Sequence, residues 1–150
     1  MVLLKTEFYY QVLSIYTRGI YMLIVYDTRT NNVKNFLKDC NLLEQSVKLT
    51  DSLEINQPFI LVLYTTTRRI DGVKLNGVPS IKVERFLSKY GHLLKGVAAS
   101  GEKNWGIDNF AKSADYVCHL YPHAELILKF EKRGTKTDRE KFLEKVGKYE

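Results

Sequence analysis

Thr28, Thr30, Asn31 and Asn32 lie in the stretch DTRTNN, directly after an apolar run at residues 22 to 27 and before an apolar residue that recurs at helical spacing. Hydroxyls followed by the first backbone amides of a helix can cradle a phosphate monoester. The N-terminal turn carries unsatisfied N–H groups and the positive end of the helix dipole, so no lysine is required. Thr and Asn are also preferred helix caps. The local pattern therefore leaves an ordinary cap and a phosphate site both open. Neither a GxxxxGK[ST] loop nor a GxGxxG fingerprint is present.

Two further stretches carry candidate chemistry. YTTTRRIDGVKLNGVP, from Tyr64 to Pro79, reads as a long connection made basic by Arg68, Arg69 and Lys74. Long loops inside compact domains are more often functional, and cations here suit an anionic ligand, although solvated surface charge explains them equally. In ASGEKNWGIDNFAKSAD, Ser100 and Gly101 leave a strand without bulk, so backbone can approach a flat ligand. Trp105, the only tryptophan, sits between Asn104 and Gly106 and is a candidate aromatic wall. Together the three stretches suggest a phosphate at one end of a site and a flat ring at the other.

The remaining polar residues point to structure. His92, His119 and His123 fall near helix ends away from these stretches, and Asp108 and Asp115 read as a solvated face of one helix. Glu140, Lys141, Glu144 and Lys145 have the spacing of an exposed helix with alternating charge. Cys40 and Cys118 lack CxxC spacing and read as two buried free thiols. No metal site is expected.

The elements that must position these stretches alternate along the chain. Strands are predicted at 22–27, 46–50, 59–65, 96–99 and 125–131, with helices from Val33, over 80–90, over 108–120 and over 137–149. Short buried strands alternating with helices predict an α/β fold, a doubly wound five-stranded parallel sheet with helices on both faces. Ligands in such folds bind beyond the carboxyl ends of the strands, where residues 27–32, 65–79 and 99–107 would meet. A chain of 150 residues, 45% hydrophobic and 27% charged, suits one domain at 22–150. Residues 1–21 read as an N-terminal extension, with Met22 a candidate natural start, or else as an extra element on the sheet edge. No apolar stretch is long enough to span a bilayer and no signal peptide is recognisable, so a cytoplasmic location is expected. The net charge of +6 permits an acidic partner, nucleic acid or an anionic ligand without choosing among them. No nucleic-acid motif or aromatic-basic run is present.

In order along the chain, YDTRTNNVKNF, PFILVLYTTT, GVPSIKVERFL, LLKGVAASGEKNWGIDNFAKSAD and ILKFEKRGTKTD resemble the NrdI family, the flavodoxin-like activator proteins of class Ib ribonucleotide reductase. The GVAASGxxxWG segment with its NFAKSAD continuation, and FExxGTxxD from Phe130 to Asp138, are the most specific parts. The resemblance implies a flavodoxin-like sheet of order 2-1-3-4-5 and flavin mononucleotide (FMN) as cofactor. It implies that Thr28, Arg29, Thr30, Asn31, Asn32 and Val33 hold the phosphate. Thr65, Thr66, Thr67 and Arg68 would begin the segment over the ring, and Ser100, Gly101, Asn104, Trp105 and Gly106 would flank it. It further implies that reduced flavin converts dioxygen to superoxide or hydroperoxide for the reductase's small subunit, where a dimanganese tyrosyl radical is assembled. A flavodoxin or flavin reductase would supply the electrons; neither membrane nor nucleic acid is an expected partner.

Two features depart from the family pattern. Asn31 stands where Gly is common, and Asn tolerates left-handed backbone better than other non-glycine residues. The insertion RRIDGVKLNG lengthens the middle stretch. Arg68, Arg69, Lys74 and Lys103 would stabilise an anionic reduced ring by on the order of 1 to 4 kcal/mol each before screening, favouring two-electron reduction. An ordinary electron-transfer flavodoxin and a flavin-free α/β binding module are the alternatives.

Overall fold

The computed structural model describes residues 22–149; the expectations for residues 1–21 lie outside the described residues. β1 (Leu23–Tyr26) is buried at every position, as a strand covered on both faces must be. It leads through residues 27–31 into α1 (Asn32–Asp39), which buries Val33, Phe36 and Leu37 along one stripe. β2 (Val47–Lys48) and β3 (Phe59–Tyr64) follow. Then come a hairpin of β4 (Thr66–Ile70) and β5 (Val73–Val78), and α2 (Ile81–Tyr90). β6 (Leu94–Gly101), α3 (Lys112–Leu120), β7 (Glu125–Glu131) and α4 (Lys136–Val146) complete the described chain.

The five-stranded sheet has the order β2-β1-β3-β6-β7 and is parallel throughout, which is the expected 2-1-3-4-5 when its strands are counted in chain order. Aromatic contacts fix which helix covers which face. Phe36 of α1 stacks on Phe130 with ring centroids 4.0 Å apart and meets Phe142 of α4 edge-on at 5.2 Å, so α1 and α4 share one face. Phe86 of α2 meets Phe59 edge-on, and Tyr116 of α3 donates to Glu84 of α2, so α2 and α3 pack together on the other.

The structure corrects several expected boundaries. Within residues 65–79, read as a loop, Thr66–Ile70 and Val73–Val78 form an antiparallel ribbon that runs from Ile70↔Val73 to Thr67↔Asn76 and shifts register before Thr66↔Val78. Its two-residue turn is Asp71-Gly72 with φ of 51° and 78°, the left-handed pair that lets a tight turn match strand twist. α3 begins at Lys112 rather than Asp108 because Ala111 is left-handed (φ 46°) and interrupts helical backbone. Asp108 and Asp115 therefore do not share a helix; Asp115 pairs with Lys129. α4 starts one residue early because Thr135 and Asp138 form a reciprocal capping box, and it ends at Val146. β6 runs two residues further than expected at each end. Cys118 is only half-buried, whereas Cys40 is buried and its thiol is pushed up to about 12 by desolvation.

Candidate functional site

The strand order dictates which segments meet. β1, β3 and β6 are neighbours; Tyr26, the last residue of β1, pairs with Val62, and Tyr64, the last residue of β3, pairs with Ser100. Residues 27–31, 65–68 and 102–106 therefore leave the same edge of the sheet side by side. The chain turns in opposite directions from β1 to β2 and from β3 to β6. That makes this edge the topological switch point, where open α/β sheets bind ligands.

At the first segment, Asn31 is the N-cap of α1 with φ 65° and ψ 5°, and its side chain makes no capping hydrogen bond. The position that departs from glycine thus has the left-handed backbone for which glycine is suited. Thr28 Oγ1 accepts from the backbone N–H of Lys34 at 3.5 Å. Asn32 opens the helix, while the Val33 side chain is buried in the core, so Val33 can offer a ligand only its backbone. Arg29 and Thr30 are exposed. Arg29 Nη1 donates to Thr66 Oγ1 at 3.5 Å and ties the first segment to the second.

The second segment is anchored on several sides. Thr65 and Ser113 hydroxyls are 2.7 Å apart, joining the end of β3 to the first turn of α3. Thr67 donates to Asn76 Oδ1 across the ribbon at 3.0 Å. Arg68 turns away from the sheet edge: its Nε donates to the Pro79 carbonyl at 2.9 Å, and Nη2 lies 2.5 Å from Glu84 Oε1. A carboxylate therefore offsets its charge locally.

In the third segment, Ser100 Oγ donates to the Lys132 carbonyl at 2.6 Å, and Lys132 N–H donates to the Gly101 carbonyl at 3.0 Å. A Cβ on Gly101 would come within 2.4 Å of Ala111 N, so no side chain fits there. Glu131 accepts from Lys103 N–H at 2.9 Å and fixes the short 3-10 turn Lys103–Trp105. Asn104 is exposed, Trp105 is 48% exposed, Asn109 Nδ2 donates to the Trp105 carbonyl, and Gly106 follows with φ 91°. The ammonium of Lys103 lies 5.7 Å from the Phe110 ring centroid.

Residues outside the predicted set complete the edge. Asp27 is 4% exposed and accepts from Ser80 Oγ at 2.7 Å, while Ser80 in turn caps α2 by accepting from Val83 N–H. Desolvation raises the Asp27 carboxyl above its ordinary range, against the opposing pull of Ser80, Lys82 and Lys48. Burial and the Asp27 charge likewise raise Tyr64. Ser80 was legible as a helix cap before an apolar run. The Thr65–Ser113 and Lys103–Glu131 contacts span 48 and 28 residues and leave no local trace.

Backbone strain gathers here as well. Asn31, Ala111 and Lys132 are three of the non-glycine residues with positive φ, and all three border this edge. Such conformations cost about 1–3 kcal/mol each and concentrate at ligand sites. Two hollows elsewhere include no predicted site residue. One of about 220 Å³ lies between α2 and α3 beside Glu84 and Tyr116, and one of about 410 Å³ between residues 50–53 and α2. The described residues hold no group of three or more metal-ligating side chains, and no helix among them is long and apolar enough to cross a membrane.

Comparison with known proteins identifies the family and the fold. Residues 24–144 match the family model described as NrdI flavodoxin-like. Protein NrdI of Bacillus licheniformis is 40% identical over 123 residues, covering 82% of this chain and 86% of that protein. The SPbeta prophage-derived protein NrdI of Bacillus subtilis is 35% identical over 128 residues, covering 82% and 89%. Protein NrdI of Macrococcus caseolyticus is 34% identical over 131 residues, covering 85% and 93%. A flavodoxin from Streptococcus pneumoniae superimposes with a TM-score of 0.55 at 20% identity, over 84% of this chain and 94% of that one, which establishes the shared fold. The chain belongs to the NrdI flavodoxin-like family, which implies a flavin and an association with ribonucleotide reductase.

Proposed function

We propose that the chain, acting in the cytoplasm, binds FMN along the β1-β3-β6 edge. In reduced form it would convert dioxygen to superoxide or hydroperoxide for the small subunit of a class Ib ribonucleotide reductase. There the oxidant drives assembly of a dimanganese tyrosyl radical cofactor. The observation that carries this reading is the left-handed Asn31 at the open N-terminus of α1, set at the switch point beside the strand ends that carry Thr65 and Ser100. Family membership extends it to the reductase.

The donor set fits FMN. The amides of Asn32 and Val33 and the hydroxyls of Thr28 and Thr30 would take the phosphate, with Arg29 adding a cation; this is the chemistry of a helix N-terminus toward a dianion. Ser100 and Gly101, held flush by Lys132 and Ala111, leave room for a flat ring, and Trp105 with Asn104 and Gly106 would close one side. Bound flavin supplies electrons to dioxygen: one gives superoxide, and two with a proton give hydroperoxide. The protein's own work is to hold the ring, limit water and leave a path by which the small oxidant exits into a docked partner. A flavodoxin or flavin reductase would return the electrons. Because Arg68 is paired with Glu84, Arg29 and Lys103 are better placed than Arg68 to bias the edge toward anions.

The test is radical assembly. Purified protein should be yellow, bleach on reduction and recolour in air. Reduced protein, oxygen and Mn(II) added to the cognate small subunit should generate the tyrosyl radical. A flavin-loaded protein that produces no radical would leave only electron transfer, and a colourless one that takes up no FMN would remove the flavin reading altogether.

A further inference from the structure

The hairpin is not absorbed by flavin binding. β4 and β5 pair only with each other, so each keeps one unpaired edge among the described residues. Its root is fixed: Thr66 meets Arg29, Arg68 holds Pro79 and Glu84, and Gly77 packs against Lys112. Alternation along a strand puts neighbours on opposite faces. With Arg68 turned onto α2, the Arg69↔Lys74 pair lies on the opposite face, next to the linked Thr67 and Asn76. Both cations are exposed. Arg69 donates only to the Gly72 carbonyl at 3.3 Å, and neither has an acidic partner among the described residues.

Like charges directly opposite on an antiparallel pair destabilise it. Here they sit on a ribbon with which no third strand pairs among the described residues. A cationic pair that weakens its own element is compensated when an anion lies between its members. On the functional reading above, we propose that this ribbon is a docking arm for an acidic segment of the reductase small subunit, with carboxylates bridging Arg69 and Lys74.

Arg69 and Lys74 lie outside the proposed flavin set, so the arm can be tested apart from the cofactor. In Arg69→Glu/Lys74→Glu, FMN content should match the parent. The dissociation constant for the cognate small subunit should rise by roughly tenfold or more at low salt, with a shallower salt dependence. Arg69→Ala/Lys74→Ala should weaken binding less while leaving thermal stability equal or higher, because the opposed charges are gone. Unchanged affinity in both variants overturns the docking arm while leaving the flavin function intact. Binding to a labelled single-stranded DNA oligonucleotide that is lost in the variants, with small-subunit affinity preserved, overturns it in favour of a nucleic-acid role. A flavin-loaded parent protein that does not bind the small subunit at all overturns the functional reading and the arm together.

Discussion

At the scale of single residues, Asn31 is where sequence and structure meet most closely. Its backbone adopts φ 65° without help from its own side chain, so the residue is retained for its tolerance of left-handed geometry rather than for a cap. Asn31→Ala keeps the helix but loses that tolerance, and stability to urea should fall by about 1 kcal/mol. Asn31→Gly should stay within a few tenths of the parent and bind FMN at least as tightly. A large loss in the glycine variant would mean that the Asn amide itself is a ligand group. Asp27 supplies a different signature. Its folded pKa is raised by burial, so its contribution to stability is fully present below the unfolded value near 3.8 and is lost as pH rises through the folded value. Denaturation midpoints measured from acidic to neutral pH should show this loss in the parent, whereas Asp27→Asn should flatten it. Equal slopes in the two proteins would assign the pH dependence elsewhere. The sequence revealed Asn31 because a glycine-favouring position was visible in the family pattern. It did not reveal Asp27, because the Ser80 contact that defines its role spans 53 residues and leaves no local trace.

Among the elements, the strands were legible and the middle connection was not. Val25, Leu61 and Val97 are fully buried, and continuous apolar runs announce such positions without any partner being known. The hairpin had local signals in Asp71-Gly72 and in the alternation of Val73, Lys74, Leu75 and Asn76, but the strand before the turn, TTRRI, has Ile70 as its one apolar residue, so composition concealed the ribbon. Its root, not its strands, holds it in place. Arg68→Ala should remove the bonds to Pro79 and Glu84 and leave Glu84 with Tyr116 alone. The expected cost is about 1–2 kcal/mol, and amide exchange should rise across residues 66–78 while β3 and β6 stay protected. Uniform loss of protection would instead make the contact part of the global core. The end of β6 is constrained more severely. Gly101→Ala forces a methyl to within 2.4 Å of Ala111 N, a contact backbone cannot yield cheaply. Overpacking of this kind costs about 1–3 kcal/mol, and because Ala111 is already left-handed the displaced turn should carry Trp105 with it and change its fluorescence.

Across the whole molecule, the proposed site depends on distant segments being brought to one edge. Thr65 and Ser113, or Lys103 and Glu131, are joined by topology, and periodicity carries no trace of such pairings; the family pattern supplied the flavin where spacing alone had left a cap and a phosphate cradle undecided. That dependence on assembly makes the ligand a stabiliser of the folded chain, since an unfolded chain cannot present the amides of α1 and the end of β6 together. FMN at a hundredfold excess over its dissociation constant should add about 2.7 kcal/mol to unfolding, read as a higher midpoint in urea. Riboflavin, which lacks the phosphate, should add far less, because the open N-terminus of α1 would then face water. Trp105 gives an independent readout. As the only tryptophan and 48% exposed, it should be quenched in step with FMN occupancy. Equal stabilisation by riboflavin and FMN would show that the phosphate lies away from Asn31 and Asn32. Stabilisation by FMN without any change in Trp105 emission would show that the ring does not stack beside residues 104–106.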